Sequence, residues 1–408
     1  MSPQDRPPTV VIASRLFLPE PGAASLRLAA LARALLDSGS AVEVLTTTAP
    51  TGSDDAGIDG IRVRRWPALR NREGYIRGYL GYISFDVPLF VRLLTCRAPD
   101  VVICEPPPTT GVVVWLACRI RRVPYIYYAA DLWSEAVREV GVTGLVQRVL
   151  SAVERCALAG AAEILTISPA MVDRLSALGV RTPISMVGHG ADTSVFHPDG
   201  PAAPGPPYLV YAGTASEVHG ARIFTQALAR VITQVPDARV VFIGQGTERV
   251  VMEDDARNLP AGTVTFLPRI DPSETACWLR GARAALASVR PGPYAFAIAT
   301  KVYAAAGCGT PVLHVGPGPG RDLVADNDLG WTVDYDVDQV ADAMVAALRT
   351  APDPTSARRR STWTAQRASL HAAARRAADC VERVTARARA TAQVRSRWGV
   401  ARREEVRR

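Results

Sequence analysis

The amino-acid sequence predicts an α/β protein built from two successive domains, each with a doubly wound parallel sheet. The chain has 408 residues, and a domain commonly takes about 100–200 residues. In both halves short apolar runs alternate with helical patterns, which is typical of parallel strands covered by helices. A Pro/Gly-rich stretch at 197–207 (HPDGPAAPGPP) separates the two series. We therefore expect a first domain over residues 1–196, a linker over 197–207 and a second domain over 208–352.

The strands are predicted from short apolar runs bounded by turn residues. In the first half these runs lie at 9–13, 41–46, 100–104, 124–128 and 163–167, and in the second half at 208–212, 239–244, 263–267, 284–289 and 311–315. Helical spacing predicts helices at 24–38, about 111–121 and 222–234. One long helix is expected to follow at 353–390, with Trp363, Leu370, Ala374, Ala377 and Val381 on one side. The basic tail at 391–408 has little patterned apolar content and is predicted to be disordered.

Net charge and motif content indicate which kinds of partner the protein could bind. The formal net charge is +8, and much of the excess lies after Arg358. A solvated tail is the preferred interpretation, with an anionic membrane surface or an anionic substrate as the alternative. No zinc-finger spacing or RNP-type aromatic motif is present, so no nucleic-acid partner is expected.

Cysteine usage and the apolar runs indicate the compartment. The seven cysteines form no C-x-x-C pair and mostly lie in apolar stretches, which favours a reducing compartment. The beginning of the sequence lacks a signal-peptide pattern, and no window has about 18 uninterrupted apolar residues. We therefore expect a cytoplasmic protein. The five histidines have no metal-ligand spacing, so no metal is expected.

Five segments carry a family resemblance through their order and spacing. They are Leu18–Ala24; Asp131–Glu135; Ile167–Met171 with Val187–Asp192 and Phe196–Pro198; Tyr211–Thr214; and Lys301–Tyr303 with Gly309–Val312. Together they resemble the retaining glycosyltransferases of family GT4, especially the bacterial polysaccharide and natural-product branch. The resemblance implies the GT-B architecture, which has two Rossmann-like domains and an interdomain cleft. It also implies a C-terminal helix that crosses back to the first domain.

Candidate residues in the first domain follow predicted strands. Gly22 and Ala23 precede a helix N-terminus, where backbone N–H groups and the helix dipole favour a phosphate. Glu105 and Asp131 follow strands, and in the family picture they orient the acceptor; Asp131 could also serve as a general base. Both could instead be helix caps or ion-pair partners. Trp133 belongs to the Asp131 segment and is a candidate substrate contact.

Candidate residues in the second domain are expected to hold the donor. They are Gly213, Thr214, Gly244, Gly246, Arg290, Thr300, Lys301, Val302 and Asp322. Thr300 is a plausible N-cap of a short helix, and in the family the lysine matching Lys301 faces the donor diphosphate. Arg290 could be a second cation, and surface charges are the alternative for both. His189 is a further candidate contact, although a structural role near the interdomain turn is preferred for it.

Two departures from the family pattern bear on activity. The family usually has two glutamates eight positions apart, and alignment on Lys301 and Pro311 puts Phe296 and Ala304 at these positions. The second glutamate normally binds the donor ribose, so that contact is in doubt. Thr214 and His219 also replace basic residues that many relatives carry.

The leading hypothesis is an enzyme that transfers a sugar from a UDP- or GDP-sugar, with retention and without a cofactor. The expected acceptor is a small specialised metabolite, as in antibiotic biosynthesis. One alternative is a membrane-surface polysaccharide glycosyltransferase with a lipid-linked acceptor, which the mixture of arginine and aromatic residues in Arg62–Leu94 favours. The other is a non-catalytic binding or scaffold protein, which the missing glutamates favour. The oligomeric state is left open.

Overall fold

The structure is a computed structural model that describes residues 6–20, 22–49, 57–71, 76, 78–133, 144–292, 295–296 and 298–405. The chain divides into two compact units. The first comprises Met1–Gly188 together with His371–Arg408, and the second comprises His189–Leu370.

A parallel sheet of seven strands forms the centre of the first unit. The strands are β1 (Thr9–Ala13), β2 (Ala41–Thr47), β3 (Arg62–Trp66), β4 (Val101–Cys104), β5 (Tyr125–Ala129), β6 (Glu163–Thr166) and β7 (Ile184–Met186). Their order is β3-β2-β1-β4-β5-β6-β7. The order reverses between β1 and β4, and in open parallel sheets ligands bind at such a switch point, beyond the carboxyl ends of the strands.

Helices cover both faces of this sheet. They are α1 (Ala23–Asp37), α2 (Gly78–Thr95), α3 (Pro108–Arg121), α4 (Gly144–Ala159), α5 (Pro169–Ala177) and, from the end of the chain, α13 (Leu370–Glu405). Leu31 of α1 and Val381 of α13 belong to one buried apolar cluster with Val10 and Ile103 of the strands. On another part of the unit, α3 packs against α2 and α4.

The second unit repeats this plan with six parallel strands. They are β8 (Tyr208–Ala212), β9 (Arg239–Ile243), β10 (Val264–Leu267), β11 (Ala284–Ser288), β12 (Val312–Val315) and β13 (Gly330–Val333). The order β10-β9-β8-β11-β12-β13 places the switch point between β8 and β11. The helices are α6 (Arg222–Gln234), α7 (Arg249–Ala256), α8 (Pro272–Gly281), α9 (Lys301–Gly307), α10 (Pro319–Asp326), α11 (Val337–Arg349) and α12 (Pro354–Arg367). Two buried clusters, one on each side of the strands, form its core.

The prediction of two doubly wound parallel sheets is confirmed, and the strands that it missed share one property. β3, β7 and β13 all lie at sheet edges. Exposed and half-buried residues alternate along β3, and β13 is half-buried throughout. Edge strands bury less side-chain surface, so they lack the continuous apolar run that marks a central parallel strand.

The prediction of a single C-terminal helix followed by a disordered tail is wrong in two respects. The helix is interrupted between Arg367 and Leu370, and α13 continues to Glu405 rather than ending near 390. The interruption has a backbone cause. The Ala191 N–H donates to Ala368 O (2.9 Å), and the Leu370 N–H donates to Ala191 O (2.8 Å), so residues 368–370 pair with another segment instead of continuing a helix.

The Pro/Gly-rich stretch at 197–207 lies inside the second unit, and the chain passes from one unit to the other earlier, after Gly188. Two hydrogen bonds, one from a side chain and one between backbone groups, hold the stretch to α8. The Arg280 guanidinium donates to Pro201 O (2.8 Å), and the Ala203 N–H donates to Cys277 O (2.9 Å). Proline and glycine prevent regular structure here, but that property alone does not make the stretch a connection between units.

Candidate functional site

Four candidate residues of the second unit, Gly213, Gly244, Gly246 and Lys301, lie close together at the carboxyl ends of β8 and β9. Gly213 directly follows β8, and its N–H donates to Ile243 O (2.9 Å), while the Ala215 N–H donates to Gln245 O (3.0 Å). The two loops are in backbone contact, because a Cβ at Gly244 would lie 2.5 Å from Gly213 O. A Cβ at Gly246 would lie 2.0 Å from Ala215 O. Glycine is therefore required at both positions of the β9 loop.

Lys301 lies directly beside this pair of loops. A Cβ at Gly213 would lie 3.1 Å from Lys301 Cε. The ammonium donates to the Tyr211 hydroxyl and lies 3.7 Å from the centroid of the Tyr211 ring. Burial lowers the pKa of Lys301 to about 7. Among the described residues, no carboxylate forms an ion pair with it.

Lys301 is also the only lysine in the sequence, among 47 lysine and arginine residues. Every other cationic side chain is an arginine, which is larger and stays protonated. A compact amine of adjustable pKa therefore occurs at one position only, and that position is in the glycine-lined site.

A histidine lies within electrostatic reach of Lys301. Burial, and secondarily the charge of Lys301, lowers the pKa of His219 to about 3. Its Nδ1 lies 2.7 Å from the Ser216 hydroxyl. The neutral imidazole adds no competing positive charge beside Lys301, although many relatives carry a basic residue at this position.

The start of α9 differs from the predicted open helix N-terminus. Thr300 is the N-cap residue, but its side chain makes no capping hydrogen bond. The Val302 N–H donates to Ala299 O (3.0 Å) and the Tyr303 N–H to Thr300 O (3.1 Å), so a preceding turn already uses these donors. The Val302 side chain is fully buried in the core. The Val302 and Tyr303 N–H groups are therefore already bonded, and Lys301 supplies a cation at this helix end.

Arg290 and Asp322 are both exposed. Arg290 follows β11, and its backbone N–H donates to Val218 O (3.0 Å) in the loop after β8. Burial raises the pKa of Tyr335, and the positive charge of Arg290 opposes this shift only in part. Asp322 lies in the first turn of α10. Thr214 is exposed, and its carbonyl accepts a hydrogen bond from Tyr211 (2.9 Å).

The positions of the two missing glutamates differ in their surroundings. Ala304 is half-buried and packs against apolar residues that include Tyr303 and Trp363, whose rings are stacked at 6.5 Å. Phe296 is also half-buried. A carboxylate at 304 would face these apolar side chains. His189, the remaining candidate in this unit, is buried edge-on against Tyr303 at 6.1 Å.

In the first unit, Glu105 is an ion-pair partner rather than an open ligand. It is 3% exposed. One oxygen accepts from Arg27 (2.8 Å) and the other from the Ser14 hydroxyl (2.8 Å). The Arg27 guanidinium also lies 4.9 Å from the centroid of the Tyr128 ring. This arrangement joins α1 to the carboxyl ends of β1 and β4.

Asp131 and Trp133 follow β5, the strand next to β4 in the sheet. Burial raises the pKa of Asp131, and its Oδ1 accepts the Leu132 N–H (2.9 Å). The Trp133 ring meets Tyr82 edge-on at 5.4 Å, and the Arg15 guanidinium lies 4.8 Å from the Tyr82 centroid. Ser134 and Glu135, which complete this sequence segment, lie outside the described residues.

Gly22 and Ala23 are exposed at the beginning of α1, which has no side-chain cap. The φ angle of Gly22 is 153°, a conformation that favours glycine. The first-turn N–H groups of α1 are thus left without a capping side chain, as an anion-binding helix start requires.

Sequence reasoning missed Tyr211, Arg27, Arg15 and Asp86. Tyr211 is the first residue of the Tyr211–Thr214 segment, so the family resemblance carried a signal for it, although it was not named as a site residue. Asp86 is the only acidic residue in α2, and it is 4% exposed. The Thr110 hydroxyl donates to it (2.6 Å), and burial raises its pKa. Within the described residues, no group of three or more His, Cys, Asp or Glu residues could hold a metal ion.

Comparisons with solved structures agree on this fold. Sucrose-phosphate synthase from Thermosynechococcus elongatus superposes with a TM-score of 0.70 at 18% identity, covering 93% of this chain and 99% of that one. HepE from Anabaena, solved with UDP-glucose, gives 0.67 at 16% identity, with 92% and 99% covered. A glycosyltransferase involved in avilamycin A biosynthesis gives 0.58 at 18% identity, with 93% and 98% covered. No curated protein matches the sequence.

Family models match most of the chain. The glycosyl transferase 4-like domain matches residues 22–190, and the glycosyl transferases group 1 domain matches residues 206–350. These ranges contain most of the candidate residues of both units, including Gly22, Asp131 and Lys301. The chain therefore belongs to the GT4-type glycosyltransferases.

Proposed function

We propose that this glycosyltransferase binds a nucleoside-diphosphate sugar, with UDP or GDP as the nucleotide, on the second unit. The observation that carries the proposal is the single lysine of the chain, held on the Tyr211 ring beside the glycine loops at Gly213 and Gly244. A glycine-lined loop lets a diphosphate approach the backbone, and an ammonium without a carboxylate partner is available to neutralise it. HepE, which shares this fold, was solved with UDP and with UDP-glucose.

The proposed reaction proceeds with retention and without a metal. An acceptor oxygen attacks the anomeric carbon on the face from which the diphosphate leaves, and the bond between that carbon and the phosphate oxygen breaks. The acceptor proton passes to the leaving phosphate. Protonated Lys301 and Arg290 stabilise the charge that develops on the diphosphate. Asp131 orients the acceptor, and Trp133 offers an aromatic face to it.

For the acceptor, we propose a small specialised metabolite, in line with the similarity to the avilamycin glycosyltransferase. A lipid-linked saccharide is the second candidate, and one observation favours it. Exposed apolar side chains are concentrated on α2, α3 and α4 of the first unit. One neighbour in fold, WaaG, is involved in lipopolysaccharide biosynthesis.

The test starts with the donor. Thermal shift against UDP, GDP, dTDP and their sugars should identify a stabilising nucleotide, because a ligand that binds only the folded state raises its stability. Nucleotide release with candidate acceptors then measures turnover. A non-catalytic scaffold protein would show neither a shift nor release.

Lys301 provides a site-specific version of this test. An amine-reactive reagent can label only Lys301 and the terminal amine, and a bound nucleotide should protect Lys301. Peptide mapping separates the two labelled sites, and the terminal amine serves as the internal control. Equal labelling of Lys301 with and without a saturating nucleotide would contradict the proposed donor site.

A further inference from the structure

The solvent-facing surface of α2 is apolar. Leu80, Ile83, Val87 and Val91 follow helical spacing along one side, and their side chains are 53–74% exposed. The only charged residues of the helix, Asp86 and Arg92, are buried. A surface helix in contact with water normally has the opposite arrangement, with its apolar stripe towards the core.

The two neighbouring helices extend this surface. α2 packs against α3, and α3 packs against α4. Exposed apolar side chains on α3 are Leu116 and Ile120, and those on α4 are Leu145, Val146 and Val149. We call these nine exposed side chains of α2, α3 and α4 the apolar face. In the described part of the second unit only Val250, Val251 and Val337 are comparable, so the exposure is concentrated rather than scattered.

Among the described residues of α2, α3 and α4 and those just after α2 and α3, the exposed charges are all positive. Arg119, Arg148 and Arg155 are exposed on α3 and α4, while Arg97 and Arg122 are exposed just after α2 and α3. No ion pair to a described acidic residue involves any of these five arginines. The acidic residues of the three helices, Asp86 and Glu154, are both buried.

We propose that the apolar face docks on an anionic lipid bilayer. Apolar side chains that enter the boundary between headgroups and acyl chains, with arginines at the level of anionic headgroups, are the features of an interfacial helix surface. A second copy of the chain fits less well, because a twofold contact would bring the same arginines against each other. No described helix is long and apolar enough to span a bilayer, so the protein lies on the surface. The proposal concerns the first unit and does not depend on the proposed donor site.

Vesicle sedimentation tests the proposal. The full-length protein should sediment with vesicles of phosphatidylcholine mixed with phosphatidylglycerol, more than with phosphatidylcholine alone, and less at high salt. Replacing Arg148 and Arg155 with glutamine should weaken partitioning by roughly fivefold for each arginine. The matched control replaces Arg239 and Arg269, which are exposed on the second unit, and should leave partitioning unchanged.

A second pair of variants tests how much the apolar side chains contribute to vesicle binding. Ile83→Glu with Val87→Glu should abolish sedimentation with vesicles, whereas Val250→Glu with Val337→Glu should not. An unfolding midpoint close to that of the wild type in both double variants shows that they fold. Vesicle binding that is equal for all variants, or absent in the wild type, would overturn the proposal. A dimer of the wild-type protein that Ile83→Glu with Val87→Glu dissociates would also overturn it, because the face would then be a self-interface.

Discussion

The candidate sites of the two units differ in whether their buried cation has a carboxylate partner. In the first unit, Arg27 and Glu105 neutralise each other, and their side chains are 8% and 4% exposed. In the second unit, Lys301 rests on the Tyr211 ring, and no described carboxylate pairs with it. A charge that is already paired stabilises the fold, whereas a charge left with an aromatic partner is available to a ligand. We therefore expect Arg27 to stabilise the fold, and the proposed role of Lys301 is to bind a ligand; both expectations can be tested.

The largest expected effect is on stability, from Arg27→Ala. Removing one partner leaves the Glu105 carboxylate buried without its counter-charge, which typically costs about 3–5 kcal/mol. Denaturant unfolding measures the loss. Arg230 pairs with Asp338 and Asp342 at exposed positions, so Arg230→Ala is the matched control and should leave the free energy of unfolding nearly unchanged.

A double variant distinguishes the pair from simple loss of packing. Arg27→Met combined with Glu105→Leu replaces both charges with apolar groups and should recover most of the stability lost in Arg27→Ala. If Arg27→Ala costs no more than Arg230→Ala, the contrast between the two units fails.

Next in size is the loss of nucleotide affinity in Lys301→Met. The ammonium makes a charge-assisted contact with the diphosphate in the proposed complex, and its loss should cost on the order of 1.5–3 kcal/mol, about ten- to a hundredfold in Kd. Calorimetric titration measures the affinity, and a cooperative unfolding transition with no decrease in midpoint shows that the fold is intact. Unchanged affinity would remove Lys301 from the site.

Ala304→Glu should lower stability by about 1–3 kcal/mol, because the carboxylate would lie among the apolar side chains around Tyr303 and Trp363 without a partner. Activity should be unchanged or reduced, since the donor ribose is expected to be held by other groups. Ala304→Gln is the uncharged control. A strong rise in turnover with Ala304→Glu would instead identify a decayed form of the family site and favour the scaffold hypothesis.

The remaining expected effect is a dependence of stability and of nucleotide affinity on pH. Because the folded pKa of Lys301 is about 7, below its value in the unfolded chain, the unfolded state binds more protons between these two values. Stability should therefore rise with pH from about 7 towards the unfolded value. Nucleotide affinity should fall over the same range, by at most about tenfold per pH unit, since the diphosphate prefers the ammonium. Lys301→Met should remove both trends.

The titration can be observed directly. With a single lysine in the chain, protein labelled with isotopic lysine gives one side-chain resonance, which should titrate near pH 7. A titration near the usual lysine value would contradict the buried environment beside Tyr211.

The sequence predicted the central strands well because fully buried parallel strands are continuous apolar runs, as at 9–13 and 208–212. It also singled out Lys301 and Asp131, which lie in motifs of fixed spacing, and their roles stay predictions. It could not predict that Glu105 is neutralised, because its partner Arg27 lies 78 positions away in the sequence and only the order of β1 and β4 in the sheet brings them together. Nor did it predict that Val302 points into the core, which depends on the direction of α9.

The helix that completes the first unit, α13, is synthesised last. The first unit is completed by α13, whose Ala377, Val381 and Val384 belong to the same buried cluster as β1 and α1. Asp100 is bound by both Arg6 and Arg389, which joins the two ends of the chain. A ribosome makes the whole second unit before α13 appears. At about 5–20 residues per second, the nascent first sheet waits many seconds with its α13-binding surface uncovered, so chaperone protection should matter most in this interval.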